Sequence, residues 1–222
     1  MQKLILQNRL QLVIAAGLMW FLLACESAYY KSMETIGYHK RDIMVDRVSE
    51  ARDAQEEAKE QFESALEKFS SVLGFKGGSL QEKYDQLKDE YDKSDTKAAA
   101  VRSRIAAVED VAEDLFAEWQ QELNEYKSGS LRQSSARKLQ ETQKKYAQLI
   151  GAMKRAERKI DPVLSAFNDQ VLYLKHNLNA QAIASLQSEL AAIETDVAKL
   201  IKEMETSIKE ANAFINSMEK SE

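Results

Sequence analysis

LQEKYDQLKDEYDKSDTKAAAVRSRIAAVEDVAEDLFAEW, residues 80–119, decides the fold class. Alternating steps of four and three pick out Leu80, Tyr84, Leu87, Tyr91, Ser94, Ala98, Val101, Ile105, Val108, Ala112, Leu115 and Trp119, with only Ser94 polar. An apolar residue every 3.5 positions keeps one stripe turned toward a partner helix in a left-handed supercoil. The Glu, Lys, Asp, Arg and Gln between these positions suit a solvated face.

Three more stretches carry the same spacing. One runs Met44, Val48, Ala51, Gln55, Ala58, Phe62, Ala65, Phe69, Val72. A second runs Leu139, Thr142, Tyr146, Leu149, Met153, Ala156, Ile160, Val163, Phe167, Gln170, Leu174. The last runs Ile183, Leu186, Leu190, Ile193, Val197, Leu200, Met204, Ser207, Ala211, Phe214, Met218. Between the first two helices, Gly74-Phe75-Lys76-Gly77-Gly78 cannot continue a helix cheaply. Ser79-Leu80-Gln81-Glu82 then reads as a capping box. Lys127-Ser128-Gly129 is the next break, with Ser130 to Gln133 as a second box. Breaks this short fold neighbouring helices back antiparallel.

The third and fourth series differ in phase, and His176-Asn177-Leu178-Asn179-Ala180 lies between them. A turn there makes an all-α, antiparallel coiled-coil bundle of four helices, about 34–73, 80–127, 131–176 and 181–219. The alternative is three helices, the last about 90 residues long with a stutter inside it. Matched helix lengths favour four, because a 90-residue helix leaves half its stripe uncovered unless a second chain supplies the cover. Pro162 falls within an uninterrupted apolar series and predicts a kink in the third helix.

The chain has 222 residues, 44% of them apolar and 30% charged, with one proline and one cysteine. That is the profile of long helices, and too apolar for a disordered tail. The cysteine, Cys25, closes a 13-residue apolar run from Leu12 to Ala24 that follows Lys3 and Arg9. The run is short of the ~20 residues that span a bilayer, and the arrangement is that of a secretory signal. Leu22-Leu23-Ala24-Cys25 resembles the bacterial lipoprotein box, with Leu23 its least usual member. The resemblance implies cleavage between Ala24 and Cys25, lipid on Cys25, and removal of residues 1–24. Residues 25–33 then form the attachment site and tether, and 34–222 the bundle. An uncleaved signal anchor is the alternative. Glu26, where aspartate favours retention in the inner membrane, tips the expectation toward the outer membrane, facing the periplasm. Acylation also removes a thiol that an oxidising compartment would attack.

Removing Lys3 and Arg9 takes the net charge from −5 to −7. That argues against nucleic acid as a partner, since phosphate binding needs a basic face, and against a long lipid-binding face. Lys31, His39, Lys40 and Arg41 are diluted by Glu34, Asp42 and Asp46, and read as a mixed-charge surface. The two histidines, His39 and His176, are expected near opposite ends of the bundle. Neither completes the Glu-x-x-His pair of bundle metal sites, because residues 36 and 173 are Ile and Tyr. The glycine cluster lacks Gly-Lys-Ser/Thr, which excludes a phosphate loop. No catalytic residue, metal or cofactor is expected.

The stretches Gly37–Phe62 and Leu174–Leu186 resemble a family of bacterial proteins known as domain of unknown function 2959. The similarity covers nearly all of the mature chain. It implies a helical, exported, often lipoprotein-like product of Gram-negative bacteria, and no activity. It makes His176, Asn177 and Asn179 a candidate interaction motif. The expectation is a periplasmic lipoprotein acting as a non-catalytic scaffold, with unidentified envelope proteins and the membrane as partners. A lipid-binding or membrane-shaping scaffold is the first alternative, and a cryptic enzyme or metal protein the second.

Overall fold

The computed structural model describes residues 40–74, 79–177 and 180–219; Ala24, Cys25 and the rest of the export segment lie outside the described residues. Four helices follow in order: α1 Lys40–Gly74, α2 Leu80–Glu122, α3 Gly129–His176 and α4 Ala180–Glu219. The chain divides into two units, Met1–Ile43 and Met44–Glu222. Of the first, the described residues are the opening turn of α1; the second is the bundle.

Pairs between helices give the topology of the bundle. As numbers rise along α1 they fall along α2: Arg104 donates to Glu50 at 2.8 Å, Lys97 to Glu57 at 2.7 Å and Gln61 to Glu90 at 3.0 Å. The order reverses again between α2 and α3, where Arg102 pairs with Asp161, Lys154 with Glu109 and Phe116 with Tyr146. Arg155 of α3 reaches Glu203 of α4 at 3.4 Å. The ring closes where Arg52 of α1 donates to Asn212 of α4 at 3.2 Å and Gln187 of α4 donates to the Leu73 carbonyl at 2.6 Å. The result is an up-down-up-down four-helix bundle. The turn expected after His176 is present, and the single 90-residue helix is not.

The heptad stripes form the core. Every position of the α1 series is buried, and in the other three series each member is buried or half-buried. Phe167 of α3 stacks on Phe69 of α1 at 4.5 Å and lies 6.3 Å from Phe62, so the two parallel helices meet across the diagonal. Pro162 sits inside an unbroken α3 and is exposed. Its missing N–H leaves the carbonyl of Arg158, an exposed residue, without the usual helical donor.

Helix ends differ from the sequence expectation at the second turn. The box at Ser79 forms as expected, with Glu82 N–H donating to Ser79 Oγ at 3.1 Å and Ser79 N–H to the Glu82 carboxylate at 3.2 Å. However, α2 stops at Glu122 rather than at 127, and α3 starts at Gly129 rather than at 131. Leu123, buried at the C-cap, anchors the end of α2, and Asn124 and Glu125 turn on i→i−3 bonds to Gln121 and Glu122. The cap of α3 is Ser128, whose Oγ accepts from Leu131 N–H at 3.4 Å; Ser130 lies within the first turn instead. The α1 start expected at residue 34 lies outside the described residues.

Candidate functional site

The motif expected at the α3–α4 turn is partly described. His176 is the last residue of α3 and is exposed. Asn177 caps the helix: its N–H donates to the Leu174 carbonyl at 3.3 Å and its side-chain amide to the Tyr173 carbonyl at 2.9 Å. This satisfies carbonyls that a helix end leaves without partners. It gives Asn177 a structural task. Asn179 lies outside the described residues.

Beside this motif, Leu172 and Tyr173 stand 43% and 41% exposed. At the other end of α3, Tyr126 and Leu131 are 41% and 59% exposed. Among the described residues these are the large apolar side chains that face water, and they fall in two pairs rather than singly. Heptad reading misses them because it selects the buried stripe. Position off the stripe does not find them either, because Val111, Leu164 and Val171 also lie off it and are buried.

Inside the bundle the chemistry is sparse. Among the described residues no group of three or more His, Cys, Asp or Glu side chains is placed to hold a metal ion. No described helix is long and apolar enough to cross a membrane. Gln55 is completely buried and neither atom of its amide has a hydrogen-bond partner. Ser207 Oγ and Gln170 Oε1 are unpaired as well. Because Arg52 meets Asn212, Gln55 and Ser207 lie within about one helical turn of the same level. They are the polar intrusions of the α1 and α4 stripes, and they form a polar level in an apolar core.

Toward the α2–α3 turn, Phe116 and Tyr146 pack edge to face at 5.4 Å. Burial, and then the nearby Glu109 carboxylate, push the Tyr146 phenol up to about 12. Lys154 is held above the ordinary lysine value first by its hydrogen bond to Glu109. These groups stabilise one charge state; they do not assemble a nucleophile and a base.

Charge is distributed unevenly among the helices. From Gly129 to Lys159, α3 carries nine basic and two acidic residues, whereas Ile160–His176 carries one basic and two acidic. The other helices are each net acidic: six basic against nine acidic in α1, six against twelve in α2, and three against seven in α4.

No curated protein matches the chain. A family model matches residues 29–218, which takes in all four helices to the last turn of α4. The chain belongs to the family described as Protein of unknown function (DUF2959).

Proposed function

We propose that the chain is a membrane-tethered, non-catalytic scaffold of the bacterial cell envelope, held by lipid on Cys25 and facing the periplasm, that spaces or binds other envelope components. The observation that carries this reading is the position of the exposed apolar pairs. Tyr126 and Leu131 lie at one end of α3, and Leu172 and Tyr173 at the other. Leu131 and Leu172 are ~62 Å apart along one continuous helix at 1.5 Å per residue. Exposed apolar side chains grouped on a charged surface mark contacts with other molecules. A helix clamped in a bundle holds two such contacts at a set distance. The address comes from the Leu22–Cys25 box and the signal-like segment before it.

A photo-crosslinking residue placed at Leu172 or Tyr173 in living cells tests the scaffold. The expected result is a discrete adduct with an envelope protein, absent when the same probe replaces exposed Glu63. Identical background at all three positions overturns the reading. For the tether, mass measurement of the mature N-terminus should give acylated Cys25, and a free Met1 rules it out.

The lipid-binding alternative has one observation in its favour, the basic segment of α3.

A further inference from the structure

From the basic segment of α3 and the apolar pair at its tip, we propose that the α2–α3 end of the bundle docks on an anionic lipid surface along the outer face of α3. The inference rests on the tethered reading above, which supplies the membrane, but its chemistry belongs to residues 126–159.

The basic residues are ordered. Arg137-Lys138, Lys144-Lys145 and Arg158-Lys159 recur at multiples of seven, the repeat of the core stripe itself, so all three pairs share one side of α3. All six are exposed, while Leu139, Leu149 and Met153 of the same helix are buried. The stripe is ~33 Å long. Among the described residues no carboxylate pairs with Arg137, Lys144, Lys145, Arg158 or Lys159 within 4.0 Å; Lys154 and Arg155 of this segment make ion pairs, and Lys138 has a partner of its own. Glu141 is the one acidic residue among the first two pairs. The net negative charge of the whole chain does not cancel this face. In physiological salt, fields decay over ~8 Å, and the acidic residues of α1 and α4 lie farther than that from Arg137–Lys145, because those helices end level with about residue 153 of α3.

Position selects a membrane over other polyanions. Glu50 meets Arg104, Arg52 meets Asn212 and Glu109 meets Lys154, so Met44 and Met218 lie level with about residue 110 of α2 and 153 of α3. Beyond that level, among the described residues of the bundle, only α2 and α3 continue, α3 by ~36 Å. This is the end at which α1 begins. Residues 26–39 separate Cys25 from Lys40, and fourteen residues reach ~50 Å at most. A lipid on Cys25 would therefore keep a bilayer within a tether's length of the residue that opens α1. At the tip, Tyr126 and Leu131 offer the aromatic and aliphatic groups that lodge at a headgroup boundary. The distal third of α3, with Leu172 and Tyr173, lacks the stripe and stays available to other partners.

The test uses the full chain as isolated from cells, reconstituted in vesicles of phosphatidylcholine alone or mixed in equal parts with phosphatidylglycerol. Lysine acylation by a soluble amine reagent is read by peptide mass. Lys144, Lys145 and Lys159 should label several-fold more slowly on the mixed vesicles. Added salt should restore their rates, with Lys88 and Lys199 unchanged throughout. Reversing charge at Arg137, Lys144, Lys145 and Arg158 to Glu should abolish the effect at Lys159, each reversal weakening docking at least about fivefold. Circular dichroism checks that this variant keeps its helices. Equal labelling on both vesicle types overturns the proposal. So does protection by double-stranded DNA in detergent with none from anionic vesicles, which assigns the stripe to nucleic acid. The N-terminal peptide of the same digest reports on Cys25, so loss of the tether and loss of the docking surface are read separately.

Discussion

At the scale of single residues, the core holds one clear cost. The Gln55 amide is completely buried and unpaired in its α1 stripe. An unsatisfied buried polar group costs ~1–3 kcal/mol, whereas an apolar isostere in its place costs nothing comparable. Gln55→Met keeps the volume and removes the polar atoms, so it should stabilise the bundle by about 1–2 kcal/mol, seen as a raised urea midpoint. No gain would mean that the amide has a partner. Phe167 is the opposite case. It touches the rings of both Phe62 and Phe69 across the diagonal, and Phe167→Ala should cost ~3–5 kcal/mol in the same measurement. Tyr146 adds a titration. Burial raises its phenol from 10.0 to about 12, so the folded state binds the proton more tightly than the unfolded chain does. Its contribution is whole below pH 10 and is lost as pH rises toward about 12. Absorbance titration should show one late-ionising tyrosine, and Tyr146→Phe should remove it.

At the scale of elements, the helices are long and the turns short, so stability at each end depends on caps. The first turn is readable because Ser79 and Glu82 satisfy each other's backbone within one local segment. The second is misread because Ser128 and Ser130 both stand near the break, and local pattern does not rank them. The C-terminal end of α1 is invisible to local reading. Lys83 of α2 donates to the Val72 carbonyl at 2.6 Å, and Gln187 of α4 donates to the Leu73 carbonyl at 2.6 Å. These close the last carbonyls of α1, just before the glycine break, from helices that start 6 and 106 residues after Gly74. A buried ammonium on a helix C-terminus answers both the free acceptors and the dipole. Lys83→Met keeps the aliphatic stem and loses the donor. It should cost ~1.5–3 kcal/mol, against ~1 kcal/mol for Ser79→Ala, which removes only a cap. Hydrogen exchange at the end of α1 should quicken in Lys83→Met and not in Ser79→Ala.

At the scale of the bundle, each neighbouring pair of helices is tied by side chains within one chain. Surface ion pairs add little stability, but they report register. Zero-length carbodiimide coupling should therefore join Lys97 to Glu57 and Lys154 to Glu109 within a single chain at high dilution. Products joining two chains would point instead to an exchange of helices between copies.

The sequence by itself determined the stripes, the helix class and the boundary at Ser79, because heptad spacing and capping are local and repeat many times over. Only the tertiary structure decided the helix count at the His176 turn, the diagonal packing of Phe167, and the partners of Val72 and Leu73. It also decided that the basic side of α3, itself legible in the repeat of seven, lies near the end where α1 begins. Each of these depends on which distant segments come to the same level of the bundle, and a periodic pattern carries no information about that level.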